Sequence, residues 1–376
     1  MRQYIALLLG IWAVLSVFVS FSCYSGFGDA NRSDGRGDAG QSDGPGDAGQ
    51  SDGPGDAGQS DGLGDAGQSD SLGDAGQSDG PRDAGQSEEL SYTIDNYPNV
   101  DGSTSTEPLQ VLIACKLLGV DYHWTDHFDG SNRLKADESA PETVEIADYI
   151  NRNIIHRGTH GSYVNLIENG ADLILVARQP SQDESDLARS NGVEMEIQAV
   201  ALDAFVFVFN IGNPVEGLTT EQIQDIYTGV TVNWSEVGGN TADINPYQRD
   251  RNSGSQELME TLVMKDLEMI DAPDMILEGM MGPINIISND EDGIGYSVYF
   301  YEQFMASNEQ LKLVAIDGVM PNFENIKARA YPYTTEVYAA VRNDVDESSP
   351  AYGLWRWLLT AQGQDAVRES GYVPIE

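Results

Sequence analysis

Residues 202–239 read LDAFVFVFNIGNPVEGLTTEQIQDIYTGVTVNWSEVGG. They hold a strand-like apolar run, AFVFVFN (204–210), and then a helical stretch, TEQIQDIYTG (220–229). The same alternation continues on both sides. Upstream lie LQVLIA (109–114) and ADLILVA (171–177); downstream lie SQELMETLVM (255–264), GIGYSVYF (293–300), LKLVAI (311–316), EVYAAV (336–341) and YGLWRWLLTAQGQDAVRESG (352–371). Strand-like runs alternating with helical stretches predict an α/β fold on largely parallel sheets. The folded part, from about Tyr92 to Glu376, is long for one core and comfortable for two.

The N-terminal part of the chain differs in kind. Residues 4–22, YIALLLGIWAVLSVFVSFS, are almost wholly apolar and follow one early cation, Arg2, which is the layout of a secretory signal. The run is near the lower limit for spanning a bilayer, which leaves an uncleaved anchor open. Ser22-Cys23 resembles the end of a bacterial lipoprotein signal (residues 1–22), with Cys23 as the lipid-attachment residue, although Ser20 stands where an aliphatic residue is usual. Residues 23–91 are expected to be an acidic linker. From Gly37 to Leu90 a nine-residue unit of the type GDAGQSDGP repeats without an aromatic or β-branched residue, so nothing offsets the entropy lost on folding. As a random coil the linker spans about 45 Å root-mean-square. A nine-residue Gly/Asp period also occurs in calcium-binding β-rolls, but those need an aliphatic residue in every unit, and here Pro alternates irregularly with Leu.

Only two cysteines occur, Cys23 and Cys115. With Cys23 lipidated, Cys115 has no partner and no structural disulfide is expected. Cys115 sits in an apolar run and reads as a buried, inert thiol. The formal net charge of −41 excludes nucleic acid as a natural partner, because binding it requires a cationic face. So acidic a surface suits a salty habitat, where self-repulsion is screened.

Two segments share a design that favours anions. Val100-Asp101-Gly102-Ser103-Thr104-Ser105-Thr106-Glu107-Pro108 precedes one apolar helical run, and Arg249-Asp250-Arg251-Asn252-Ser253-Gly254-Ser255 precedes another. Each places small hydroxyl residues and glycine at an expected helix N-terminus, where free N–H groups and the positive dipole end attract negative charge. Pro108 suits a first helical turn. Arg249 adds a planar fork that matches a tetrahedral oxyanion. Either segment alone is also what an ordinary capped helix shows; a two-lobed α/β chain with both sets two such ends across a cleft.

These motifs resemble the phosphate-binding subfamily of type II periplasmic binding proteins. NVDGSTSTEPL (99–109) is similar to that family's first anion loop, GADLILVARQPS (170–181) to its next strand and loop, residues 202–239 to the entry into its second lobe, RDRNSGSQELM (249–259) to its second anion loop, and GIGYSVYFY (293–301) to a later strand. The resemblance runs from about residue 96 to the C-terminus. It implies a two-lobed, Venus-flytrap α/β fold with hinge strands and a cleft that closes over its ligand. Lobe 1 is expected at 92–202 plus 328–376 and lobe 2 at 203–327. By motif, Ser103, Thr104, Ser105 and Thr106 line one wall and Arg249, Ser253, Gly254 and Ser255 the other, with Thr159-His160-Gly161-Ser162 and the Arg178 segment closing the ring. The implied partners are inorganic phosphate or a similar oxyanion and an ABC permease in the membrane. The implied state is a monomeric binding protein of the periplasm or cell surface, without catalysis, cofactor or metal.

Two departures bear on the ligand. Some relatives carry an aspartate after the strand that corresponds to ADLILVA, where it accepts the proton of hydrogen phosphate; this chain has Ala177-Arg178-Gln179 there. The same relatives have an acidic residue where Arg251 stands. Both changes leave sulfate, arsenate or an organic phosphate open, and Asp101 and Asp172 are the carboxylates considered as replacements. Arg178 and Arg251 read equally as ion-pair members. Other functions make different demands on the residues. His123 and His127, spaced i, i+4 with Asp121, Asp126 and Asp129 nearby, fit a helical metal site only if the segment is helical, and Gly130 speaks for a loop. No GxSxG elbow occurs, so a phosphatase would need a spatially assembled nucleophile. A phosphate-sensing surface lipoprotein is the remaining alternative.

Overall fold

The computed structural model describes residues 91–375. The expected signal sequence, Cys23 and the repeat lie outside the described residues.

A first half-domain is built from strands β1 (Val100–Gly102), β2 (Tyr122–Asp126), β3 (Asn132–Ala136) and β4 (Leu173–Val176), with helices α1 (Glu107–Leu118), α2 (Val144–Asn153), α3 (Gly158–Ile167) and α4 (Gln182–Asn191). Helix α1 begins with Pro108 in its first turn and ends at Gly119, whose φ of 74° is left-handed and so needs no Cβ. Its body is buried, including Cys115, whose thiol burial pushes up to about 12. A thiol so held is an inert one.

The long strand β5 (Met195–Asn210) then crosses the molecule. Beyond it come α5 (Thr220–Tyr227), β6 (Asn245–Pro246), β7 (Gln248–Arg249), α6 (Gly254–Leu258), α7 (Met281–Ile287), β8 (Gly293–Val298) and β9 (Leu311–Leu313). The chain returns along β10 (Thr334–Arg342) and closes with α8 (Pro350–Trp357), α9 (Ala361–Ser370) and β11 (Val373–Pro374).

The main sheet runs β1-β4-β10-β5-β8-β6, with β9 and β11 also paired to β5. Only β1/β4 and β8/β6 in it are parallel; β4/β10, β10/β5, β5/β8, β5/β9 and β5/β11 are antiparallel. The expected largely parallel sheet is therefore a mixed one. The physical reason is β5 itself: two strands that return past it, β10 and β8, pair with successive stretches of one strand. Residues up to Ala204 pair with β10, and residues from Phe205 pair with β8.

Both faces of β5 are buried from Val200 to Asn210, which is why AFVFVFN shows no polar alternation. Phe205, Phe207 and Phe209 share one face. The Phe207 ring lies 6.4 Å from both Tyr227 and Tyr296. At the switch of partners sits Asp203, 2 % exposed, whose Oδ1 accepts from the N–H groups of Ala204 (2.8 Å) and Phe300 (3.0 Å). Burial raises its carboxyl to about 7.

His123 and His127 lie on β2 and in the turn after it, so the spacing does not bring them to one helical face. Phe207→Ala should remove about 3–5 kcal/mol of stability, read as a lowered midpoint in urea with an unchanged slope. A loss under 1 kcal/mol would mean that the strand is not the centre of the core.

Candidate functional site

The first anion segment leaves β1 at Gly102. A Cβ there would lie 2.2 Å from Gln110 Nε2 and 2.3 Å from the Leu175 carbonyl oxygen, so only glycine lets β1 and α1 approach so closely. Ser103 follows, then a 3₁₀ turn, Thr104–Thr106, that leads into α1. The four hydroxyls do not share one task. Thr106 is fully buried, with Oγ1 2.7 Å from the Leu175 carbonyl and 2.9 Å from that of Ser103, and it accepts from Gln110 Nε2. It braces the turn and faces no cavity. Ser103 Oγ accepts from the Ala177 N–H (3.0 Å) and lies 2.7 Å from Thr159 Oγ1, tying β4, the loop and α3 together. Thr104 is half-buried and faces the cavity, as does Ser105, whose carbonyl accepts from the Tyr372 hydroxyl (2.9 Å).

The opposite wall starts with Arg249 at the end of β7. Arg249 is 5 % exposed as a residue: Nε donates to the Leu277 carbonyl (3.0 Å), Nη1 faces Met280 Sδ (3.5 Å), and Nη2 is 3.5 Å from the half-exposed Asp250. Burial dominates and pulls its pKa below the ordinary arginine value. Ser253 caps α6 by accepting from the Gln256 N–H (3.0 Å), which leaves its own proton free to donate. The backbone continues helically from Gly254 to Met264. A Cβ on Gly254 would lie 2.5 Å from Thr159 Oγ1, so the two walls meet at this glycine.

Between the walls lies a cavity of about 400 Å³. Ser103, Thr104, Ser105, Arg249, Ser253, Gly254 and Ser255 all line it, and Arg157, Thr159, His160, Asp250 and Met280 are among its other lining residues. His160 is held by Glu184, 3.1 Å from Nδ1, so that the neutral ring carries its proton there and has a lone pair on Nε2.

Arg178 is elsewhere. Its Nη1 and Nη2 each donate to Glu184 at 2.8 Å, and its side chain borders a second cavity with Glu257 and Tyr338. The fork is thus spent on a carboxylate of its own chain, and Arg178 is not on the anion cavity. Burial opposes the charge, but the Glu184 bonds outweigh it and raise the arginine pKa. Glu184, 0 % exposed, is in turn held below the usual carboxylate range: burial alone would raise it, and the Arg178, Ser181 and His160 contacts prevail. The signal for this pairing was in the sequence: Ser181-Gln182-Asp183-Glu184 is a capping box, and it forms, placing Glu184 beside the loop that carries Arg178.

Neither carboxylate considered as a replacement faces the cavity. Asp101, 1 % exposed, receives Arg157, Asn165, Ser162 and the Gly102 N–H; Asp172 accepts from the Asn99 N–H. The carboxylate at the cavity is Asp250. Arg251 is exposed and does not line it. Thr159 and His160 were legible as a loop joining the ring; Met280 was not, since nothing in its neighbourhood marks an anion site.

Residues 133–360, more than half of the chain, match the family model described as a PBP superfamily domain. The chain belongs to the PBP superfamily. Among curated relatives, it is 24% identical over 242 residues to Protein SphX of Synechococcus elongatus, covering 60% of this chain and 69% of that one. It is 25% identical over 182 residues to the phosphate-binding protein PstS of Borreliella burgdorferi, covering 47% and 64%. Among solved structures, a putative phosphate ABC transporter substrate-binding protein of Clostridium perfringens with bound phosphate superposes with a TM-score of 0.54 at 21% identity, covering 75% of this chain and 100% of that chain. An ABC-type phosphate transport receptor from Vibrio cholerae gives 0.52 at 20% identity, covering 73% and 98%. The fold of this PBP-superfamily chain is the two-lobed α/β one.

Glu184→Gln should cost about 3–5 kcal/mol, because it leaves the Arg178 charge buried and unpaired. In the parent chain the Glu184 contribution is present above the unfolded carboxylate pKa and is lost as pH falls through its lower folded value. Urea unfolding of parent and variant at several pH values tests this; a difference that does not shrink in acid would show that the pair is not what holds the segment.

Proposed function

We propose that this chain is an extracytoplasmic binding protein that captures inorganic phosphate in the cavity between its two walls and delivers it to an ABC permease. The observation that carries the reading is Arg249: a buried side chain, 4 % exposed, whose carboxylate partner Asp250 is 3.5 Å away and half-exposed, at a cavity lined by hydroxyls. A buried charge without a close partner is costly, and an oxyanion received there removes that cost. Ser253 supplies a free proton, and Thr104 and Ser105 supply hydroxyls from the opposite wall. Three of the four proteins compared above are named for phosphate binding or phosphate transport.

The lobes, on this reading, are 92–202 with 328–376 and 203–327, and the change of partner along β5 between Ala204 and Phe205 supports that division. Thr104, Ser105, Arg249, Ser253, Gly254 and Ser255 are the residues assigned to the anion, and Ser103 and Thr106 hold the loop in shape. Hydrogen phosphate offers a proton that sulfate lacks. With Arg178 engaged elsewhere, the acceptors at the cavity are His160 Nε2 and Asp250, and they favour the protonated ion. Local donors outweigh the remote acidic surface because interactions in a desolvated cleft are screened far less than those through water. Cys23 is assigned as a lipid anchor that tethers the domain through the acidic linker.

Calorimetric titration with phosphate, with sulfate as competitor, tests the site. Arg249→Ala should weaken phosphate binding by more than about 1.5 kcal/mol, and Ser253→Ala by about 1 kcal/mol. Normal binding by both variants, or displacement of phosphate by sulfate, would count against it. Cys23→Ser should abolish acyl labelling and release the chain from membranes; retention of the variant in the membrane fraction would point to the apolar run as the anchor.

A further inference from the structure

Behind Thr104, and outside the cavity lining, lies His156 on the segment between α2 and α3. Its two ring nitrogens have different neighbours. Nε2 is 3.3 Å from Arg133 Nη1 and 3.8 Å from Glu107 Oε2, the latter beyond hydrogen-bond reach, and Nδ1 is 3.2 Å from Thr104 Oγ1. Arg133 is itself buried on β3, bound to Glu107 and 3.4 Å from Asp129. A guanidinium has no lone pair, so in this contact it donates and Nε2 accepts. A neutral imidazole carries one N–H, and with Nε2 accepting, that proton is on Nδ1. Nδ1–H then donates to Thr104 Oγ1, and the one proton of that hydroxyl is left for the cavity that Thr104 lines.

We infer that His156 is a positioning residue, which fixes Thr104 as a hydrogen-bond donor toward the anion through an Arg133–His156–Thr104 relay. The inference rests on the phosphate reading of the cavity and names how one of its donors is set. A serine or threonine beside a histidine can otherwise point either way, and a hydroxyl oxygen presented to an anion repels it. The charged groups around the ring act in opposite senses: burial and Arg133 hold the imidazole below its ordinary pKa, while Glu107, Asp101 and Asp129 favour protonation, and the former prevail. The neutral ring that the relay requires is therefore the one the site maintains. Protonation would leave Nδ1–H in place but set Nε2–H against Arg133, so the relay would lose its anchor and not its direction.

The chain has only four histidines, so their ring nitrogens can be resolved by ¹⁵N NMR of the full-length protein. His156 should show protonation at Nδ1, the less common neutral tautomer; protonation at Nε2 would overturn the relay. A second measurement is a cycle of phosphate affinities. His156→Leu should weaken phosphate about three- to tenfold, the size of one misdirected hydrogen bond. The same change should have little effect in a Thr104→Val background. A loss of equal size in both backgrounds, or none in the parent, would show a merely structural role. Should the parent not bind phosphate at all, the anion reading fails, and the tautomer still decides the relay.

Discussion

Strand β5 is a single sixteen-residue run that serves two sets of neighbours, and the site depends on that arrangement. Up to Ala204 it is flanked by β10, which also binds β4, and β4 in turn carries β1 and the Ser103–Thr106 turn. From Phe205 it is flanked by β8, beside which the Arg249 loop and α6 are placed. The two walls of the cavity therefore hang from opposite ends of one buried strand. Phe205, Phe207 and Phe209 fix its register, because a slip of one residue would turn the aromatic face to the wrong side.

The chemistry of the cavity follows from which polar groups the fold has already consumed. Thr106, Asp101 and both terminal nitrogens of Arg178 are engaged by neighbours, and the three serve as braces. Arg249, Ser253 and Thr104 each retain a donor, and these three converge from separate elements. Gly254 and Thr159 mark where the walls touch. An anion site made in this way needs few charges, since the donors are oriented before the ligand arrives and little is lost in arranging them.

Much of this was legible in the sequence, and for physical reasons. Helix starts are written in local residues, so SerThrSerThr-Glu-Pro and Arg249–Ser255 announced the two walls, and the second half of β5 was plain as the apolar run AFVFVFN. What failed was mostly nonlocal, although the apolar run LQVLIA (109–114), grouped with the strands, lies inside helix α1. Strand direction depends on which strands return past β5, and no run of residues records that; hence a parallel sheet was expected and a mixed one found. Arg178 was placed on the anion because its position after a strand resembled a ligand position. Its engagement with Glu184 depends on the Ser181–Glu184 capping box, which brings that carboxylate beside the loop. His156 carried no signal at all, because its two contacts come from β3 and from the turn before α1.

Asp203 has a consequence for the chain as a whole. Its carboxyl, buried where β5 changes partners, titrates at about 7 in the fold and at ordinary carboxylate values when unfolded. Between those values, folding takes up a proton at this one position. The fold is accordingly least burdened by Asp203 in acid and loses that advantage as pH rises through about 7. The Glu184 network leans the other way and weakens in acid. One buried carboxyl thus opposes another: what acid gives to the strand at Asp203 it takes from the segment that Glu184 holds.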